Sequence, residues 1–221
     1  MSEIAPLTPS RLRTPRQAAI AGIVFSILLP LSLVLIRLSV PADPRDAGAW
    51  LTDPSRRGAV AVALNLVPFA GIAFLWFIGV VRDRIGQHED RFFSSVFLGS
   101  GLLFVGMLFV AAAVAGGLLA GSASLSGALA APQLWGLGRR VTSALLNIYA
   151  MRMAAVFTIS TATIALRIQI IPRWLGFLGY AIALVLLITV GLTPWVELLF
   201  PLWILLLSVD ILIKSVRESG P

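Results

Sequence analysis

The 221-residue chain contains no cysteine and a single histidine, His88. The absence of cysteine excludes disulfides, thiolate catalysis, iron–sulfur clusters and zinc sites built from cysteine. One histidine is too few for a histidine-rich metal site or a histidine proton relay. No nucleotide-binding glycine loop or hydrolase motif is present either. The sequence therefore predicts no catalytic residue, no metal and no cofactor, and we expect that the protein is not an enzyme.

Charged residues are scarce, at 12% of the chain, whereas about 25% is usual for a soluble domain. Hydrophobic residues make up 58%, and the mean hydropathy is +0.96. This composition excludes a water-facing globular surface and predicts a protein embedded in a lipid bilayer. The net charge of +7 comes from basic residues at the ends of apolar runs, where they contact anionic lipid head groups. No nucleic-acid partner is therefore expected.

The apolar residues are gathered into runs about 20 residues long, the length that crosses a bilayer. We predict an all-α polytopic bundle that forms a single transmembrane domain over residues 1–221. The third span is expected to end in the small, polar segment 121–127, and 121–138 to include a helix lying in the membrane interface. Thr193 and Pro194 suit the start of the last span, after a tight hairpin. The six predicted spans cover about 18–38, 58–81, 92–119, 141–166, 174–191 and 194–213.

The basic residues predict the orientation of these spans. With six spans, one side of the membrane carries ten of them and the other side five. The positive-inside rule then places both termini in the cytoplasm. All of the basic residues except Lys214 are arginine, a bias that is usual in GC-rich bacterial genomes, so we expect a multi-pass protein of a bacterial cytoplasmic (inner) membrane. The ten are Arg11, Arg13, Arg16, Arg82, Arg84, Arg91, Arg167, Arg173, Lys214 and Arg217, and the five are Arg45, Arg56, Arg57, Arg139 and Arg140.

Ionisable and amide side chains inside the spans define a candidate polar pocket in the outer half of the membrane. Arg152 interrupts the fourth span, and Glu197 lies at a similar depth in the first turn of the sixth. Asn65, Asn147 and Tyr149 fall in the same half. Three interpretations are open: Arg152 snorkels to head groups while Glu197 complements its helix N-terminus, the two form a structural ion pair, or they bind a ligand or ion.

The fourth span is polar on every side, which predicts a helix surrounded by other helices. We expect it at the centre of the bundle, where it either packs against its neighbours or lines a pathway. Its polar side chains are Ser143, Asn147, Tyr149, Arg152, Thr158, Ser160, Thr161 and Thr163.

The segment between the second and third spans contains Gly79, Asp83, Arg84 and Gly86 in the pattern G-x-x-x-D-R-x-G. This pattern resembles the signature loop of major facilitator superfamily transporters, which lies between their second and third helices on the cytoplasmic side. The resemblance implies a cytoplasmic gate loop whose aspartate pairs with a neighbouring helix and helps to hold one gate state. It covers about eight residues, and Gln87 departs from the basic residue usual in that family.

Segment 171–179 is similar to helix entries in uncharacterised bacterial multipass membrane proteins, a resemblance that implies no function. Because no chemical motif is present, we expect a non-catalytic accessory or assembly subunit of a membrane complex, whose partners are the bilayer and other membrane subunits. The alternative is a small permease or channel, as a homodimer of six-span units, that carries a polar or anionic solute through the pocket around Arg152.

Overall fold

A computed structural model describes residues 14–40, 49–85, 91–124, 131–188 and 195–217. Within these residues the chain is helical and contains no strand, as the sequence predicts. Turns of 3₁₀-helix, Ala49–Thr52 and Val196–Leu198, precede the second and the last helix, and a π-helical segment, Ala144–Ala150, joins α4 directly to α5. The α-helices are α1 (Thr14–Ser39), α2 (Pro54–Ile85), α3 (Arg91–Ser124), α4 (Ala131–Ser143), α5 (Met151–Arg167), α6 (Arg173–Ile188) and α7 (Leu199–Arg217).

Five helical runs in the described residues are long and apolar enough to cross a membrane, and α6 is a shorter apolar helix. The prediction of an apolar, multi-pass helical protein is confirmed at this level. The five runs are Arg16–Ser39, Pro54–Arg82, Ser94–Gly121, Leu134–Arg167 and Val196–Arg217.

The helices form a closed ring, in which α1 packs against α2 and α7, α2 against α3, α3 against α5, and α6 against α5 and α7. The run that contains α5 is the most enclosed, because 61% of its most apolar window is buried against 22–39% in the other runs. This agrees with the prediction that the fourth span is surrounded by helices. The hydroxyl groups of α5 donate to carbonyls one turn earlier in the same helix: Thr158 to Ala154, Ser160 to Val156, Thr161 to Phe157 and Thr163 to Ile159. Because each hydroxyl is paired within α5, these bonds favour packing of α5 against its neighbours over a solute pathway lined by α5.

Seven phenylalanine rings fill the middle of the ring of helices, and we call them the phenylalanine cluster. Phe74 of α2 lies at its centre, with ring centroids 4.6 Å from Phe25 and 5.0 Å from Phe157. Burial of such large rings is the main source of packing energy here. The members are Phe25, Phe74, Phe77, Phe97, Phe104, Phe157 and Phe200, each at most 1% exposed.

Small residues bring α1 close to α7. A Cβ atom added at Gly22 would overlap Oγ of Ser208 and lie 2.9 Å from Cδ2 of Phe77, so a larger residue would force these side chains to shift. Ala18 and Ser26, one turn to either side, are also buried. The stripe of small residues in α1 therefore packs inside the bundle.

The end of α3 and the start of α4 lie near the predicted outer segment. The sequence predicts that the third span ends within 121–127, and α3 ends at Ser124. Helix α4 begins at Ala131 and runs on into α5, so this helical run starts before residue 141, where the fourth span is predicted to begin. A Cβ at Gly138 would overlap the side chain of Leu118, which shows how closely α4 packs on the end of α3. The interfacial helix expected within 121–138 stays a prediction. The predicted hairpin at 191–194, with Thr193 and Pro194, lies outside the described residues.

Candidate functional site

A cavity of about 370 Å³ lies at the end of the bundle where α1 and α3 end and where α2, α4 and α7 begin. We call it the end cavity. Aliphatic side chains form most of its wall, and a volume of this size is within the range of small-molecule sites in proteins. The aliphatic lining includes Leu29, Leu33, Ile36, Val60, Leu64, Val67, Leu108, Leu118, Leu119, Leu146 and Leu198.

The phenylalanine cluster lies one helical turn from the end cavity, on the side that faces the middle of the bundle. Leu29 and Leu108 line the cavity one helical turn beyond Phe25 and Phe104, whereas no ring of the cluster lines it. A second pocket, of about 30 Å³, lies on the other side of the cluster among residues such as Thr161, one turn beyond Phe157. The cluster therefore separates a wide cavity at one end of the bundle from a small apolar pocket at the other.

An ion pair between α1 and the start of α7 lies in the cavity wall. Nη2 of Arg37 donates to Oε1 of Glu197 at 3.1 Å. Glu197 is 9% exposed, while the Arg37 side chain is 36% exposed and stacks on the ring of Trp195, with Cζ 5.0 Å from the ring centroid. Trp195 has a left-handed backbone, with φ 76°, immediately before the 3₁₀ turn that carries Glu197. The pair thus ties two helix ends together beside the cavity.

Two further tryptophans line the end cavity, together with hydroxyl and amide side chains. Trp50 and Trp135 make an edge-to-face contact, with ring centroids 5.4 Å apart. The indole nitrogens of both rings, Oγ1 of Thr142 and Oδ1 of Asn147 are enclosed by protein and have no hydrogen-bond partner within the described residues. Buried polar atoms are almost always paired with protein, water or a ligand. The wall therefore contains unused hydrogen-bonding groups, which a ligand would reach only after a neighbouring side chain moved.

The π-helical segment Ala144–Ala150 carries Leu146 and Asn147 to the cavity wall. Nδ2 of Asn147 donates to Oγ of Ser143, 3.0 Å away and one turn earlier. Segments of π-helix are rare and occur frequently at functional sites. Because the π-helical segment lies beside the end cavity, it is a second feature typical of functional sites at the same place.

The structure brings together only two of the five residues predicted to form the polar pocket. Asn147 and Glu197 line the end cavity, but Asn65, Tyr149 and Arg152 do not. The side chains of all three are exposed on the outside of the bundle, and Asn65 donates to the carbonyl of Ala61 within its own helix. The pocket is therefore located around Arg37 and Glu197, and not around Arg152.

Arg152 does not pair with Glu197, because the rotation of the helix at Met151 places Met151 inside the bundle and Arg152 outside it. Arg152 lies within the continuous helical run Leu134–Arg167, with its side chain on the outer side, and whether it snorkels to head groups stays a prediction. The partner of Glu197 is Arg37, at the end of the first span. The sequence did contain a signal for this pairing, because Arg37 carries the charge opposite to that of Glu197 and lies at the end of the predicted first span, at a similar predicted depth.

Three of the four residues of the predicted cytoplasmic gate loop lie at the end of the bundle opposite the cavity. Gly79, Asp83 and Arg84 belong to the last turns of α2, so this part of the pattern is helical and not a turn. Gly86 lies outside the described residues. The gate role implied by the resemblance stays a prediction.

Within the described ranges, no group of three His, Asp or Glu side chains comes together in the way that metal ligands do. Comparisons with protein-family models, curated proteins and solved structures gave no match. The fold and the site define a class: an apolar, multi-pass helical protein with a solute-sized cavity at one end. Its function is argued below from this geometry.

Proposed function

We propose that the protein is a small permease that binds a solute in the end cavity and releases it at the opposite end of the bundle. The observation that carries the proposal is the cavity itself, which lies at one end of the bundle, has the Arg37–Glu197 ion pair in its wall and is separated from the other end by the phenylalanine cluster. A solute-sized cavity on one side of a packed layer is the geometry expected of one state of an alternating-access carrier.

Two prolines near the inner side of the cavity support a change of the bundle between two conformations. Pro30 in α1 and Pro68 in α2 lie next to the cavity-lining residues Leu29 and Val67. A proline has no backbone N–H and removes one helical hydrogen bond, so it eases local bending. Bending at this level would move the helices that carry Phe25 and Phe74.

The proposed membrane arrangement uses α6 as a sixth span, which is short but apolar. Helices α1 and α7 then begin and end on the same side. The excess of basic residues predicted for that side, ten against five, orients both termini toward the cytoplasm of a bacterium and the end cavity away from it.

The alternative role, a non-catalytic accessory subunit with other membrane partners, stays a prediction, as does a homodimer. Exposed apolar side chains do not favour it, because every lipid-facing helix has them. The end cavity favours the permease, since an accessory subunit has no need of a cavity large enough for a solute.

Single cysteines test the proposal directly, because the natural chain has none. Ala115, partly exposed in the cavity wall, and Thr161, in the small pocket beyond the phenylalanine cluster, are each replaced by cysteine. A membrane-impermeant thiol reagent is then applied to right-side-out and inside-out vesicles. Ile20→Cys, on the lipid-facing side of α1, is the control that a polar reagent should not reach.

We expect Ala115→Cys to be labelled from the outside only and Thr161→Cys to be labelled, more slowly, from the inside only. Labelling of both positions would show that water reaches the interior of the bundle from each side. If Ala115→Cys is inert from both sides, the cavity is not a solute site. If only Thr161→Cys is inert, the protein binds without transporting.

A further inference from the structure

We propose that the turn between α5 and α6 is a gate at the end of the bundle opposite the end cavity, and that Lys214 of α7 is the latch that holds this gate closed. The turn comprises residues 168–172, between the end of α5 and the start of α6. The inference rests on the proposed permease function for what passes the gate, whereas the opening of the gate is measured separately below.

Lys214 joins two parts of the chain that are far apart in sequence. Its Nζ lies 2.8 Å from Oδ2 of Asp210, one turn earlier in α7, and donates a hydrogen bond to the carbonyl oxygen of Ile170 in the turn. A lysine ammonium has three N–H donors, so it can serve both acceptors at once. The ion pair alone would be an ordinary contact within one helix. The bond to Ile170 turns it into a link between α7 and the α5–α6 turn.

The α5–α6 turn and α7 both line the small pocket of about 30 Å³ beyond the phenylalanine cluster. Lys214 lies about one helical turn beyond the last lining residue of α7, and its acceptor Ile170 is itself a lining residue. The latch therefore bridges two segments that enclose the pocket. The lining residues from these segments are Ile168, Ile170 and Ile171 of the turn and Leu207 and Ile211 of α7.

A second bond between α6 and α7 indicates how the gate moves. Nε1 of Trp203 in α7 donates to the carbonyl oxygen of Leu175 in α6 at 3.1 Å, and Trp203 is fully buried. By contrast, the side chain of Lys214 is 43% exposed, so water competes for its bond to the turn. We therefore expect α6 to stay attached to α7 at Trp203 while the turn separates from α7 at Lys214.

Thr161 reports on this gate because it lines the small pocket from α5 and is only 2% exposed. A volume of about 30 Å³ holds one or two water molecules and is too small for a thiol reagent. Labelling of Thr161→Cys therefore requires the pocket to open, and its rate measures how often the turn leaves α7.

The test compares the labelling rate of Thr161→Cys with and without Lys214→Met, using the impermeant thiol reagent on inside-out vesicles. Methionine keeps an unbranched apolar side chain but removes the ammonium donor. We expect labelling to become about tenfold faster, as for the loss of one partly exposed charged hydrogen bond. An unchanged rate would overturn the proposal.

Two further substitutions separate the latch from the charge. Lys214→Arg keeps the charge and the N–H donors and should leave the labelling rate close to that of Thr161→Cys alone. Arg217→Met removes an exposed basic side chain three residues further along α7 and should also have no effect. Equal acceleration by Lys214→Met and Arg217→Met would contradict the latch, because the effect would then follow from charge at the membrane surface.

A general loosening of the fold is distinguished by a cysteine in the core. Ala70 of α2 is fully buried, and Ala70→Cys should stay unlabelled both with and without Lys214→Met. Labelling at position 70 that appears with Lys214→Met would refute a local gate. Acceleration confined to Thr161→Cys would support it.

The latch and the permease fail in different measurements. If Ala115→Cys is labelled from the outside but Lys214→Met leaves the rate at Thr161→Cys unchanged, the latch is rejected and the permease stands. If Ala115→Cys is inert but Lys214→Met accelerates labelling of Thr161→Cys, the permease is rejected and the latch stands as a closure of the bundle. A Thr161→Cys that is inert both with and without Lys214→Met would reject the latch and transport together.

Discussion

Arg37 and Glu197 are 160 positions apart in the chain, yet their side chains meet at 3.1 Å in the wall of the end cavity. The pair joins the end of α1 to the start of α7, the two helices that close the ring. It also neutralises the only carboxylate among the described lining residues. One contact therefore joins the two ends of the ring and leaves no unpaired carboxylate among the described lining residues.

Glu197→Gln should destabilise the protein by about 1–2 kcal/mol, because the hydrogen bond from the partly exposed Arg37 then has a neutral acceptor in place of a charged one. The measurement is SDS-induced unfolding of the purified protein. A double-mutant cycle with Arg37→Gln should give a coupling energy of about 1 kcal/mol. Arg152→Gln is the matched control on an exposed arginine, and a loss as large as that of Glu197→Gln would contradict the assignment of the pair.

Phe74→Ala should be severely destabilising, by about 3–5 kcal/mol, because Phe74 is fully buried against five other rings of the cluster. Phe69→Ala on the same helix is the control, since Phe69 is 61% exposed and faces outward. The free energy of unfolding of both variants checks the prediction. Similar losses at the two positions would show that the cluster is not the packing centre.

Gly22→Val should lower stability by about 1–3 kcal/mol, because its side chain would overlap Ser208 and Phe77 and force α1 away from α7. Gly106→Val is the matched control, as a Cβ at Gly106 meets nothing within 4 Å. Comparison of the two unfolding midpoints is sufficient. A tolerated valine at position 22 would refute the close contact between α1 and α7.

Gln169→Gly should raise stability by about 1 kcal/mol. Gln169 has φ 54° at the end of α5, where its N–H donates to the carbonyl of Leu166 and the N–H of Ile170 to that of Ala165. This is a Schellman cap, in which glycine avoids the steric cost of a left-handed backbone. Gln169→Ala keeps the Cβ and should show no gain, so equal effects of the two substitutions would argue against strain at this residue.

The membrane class and the apolar helices were predictable because they depend on local quantities. Runs of about 20 apolar residues locate the helices, and the polar residues around α5 indicated an enclosed helix. The start of the fourth helical run was less predictable, since α4 begins at Ala131 and packs closely through Gly138 on Leu118 of α3. Helix propensity alone does not contain that contact.

The candidate site was predicted only in part. Asn147 and Glu197 were identified as polar residues at the right depth, and both line the cavity. Arg152 was given the role that belongs to Arg37, because depth along a helix does not state which side of the helix faces inward. Successive residues of an α-helix are rotated by about 100°, so Met151 can face the interior of the bundle while Arg152 faces outward.

The sequence by itself determined that this is an apolar, helical protein with basic helix ends, because hydropathy and charge act over each local segment. Only the tertiary structure decided which side chains meet: Arg37 with Glu197, Trp50 with Trp135, and the seven rings that close the floor of the cavity. These contacts join helices far apart in the chain, and their geometry depends on how all the helices rotate and pack together in the ring.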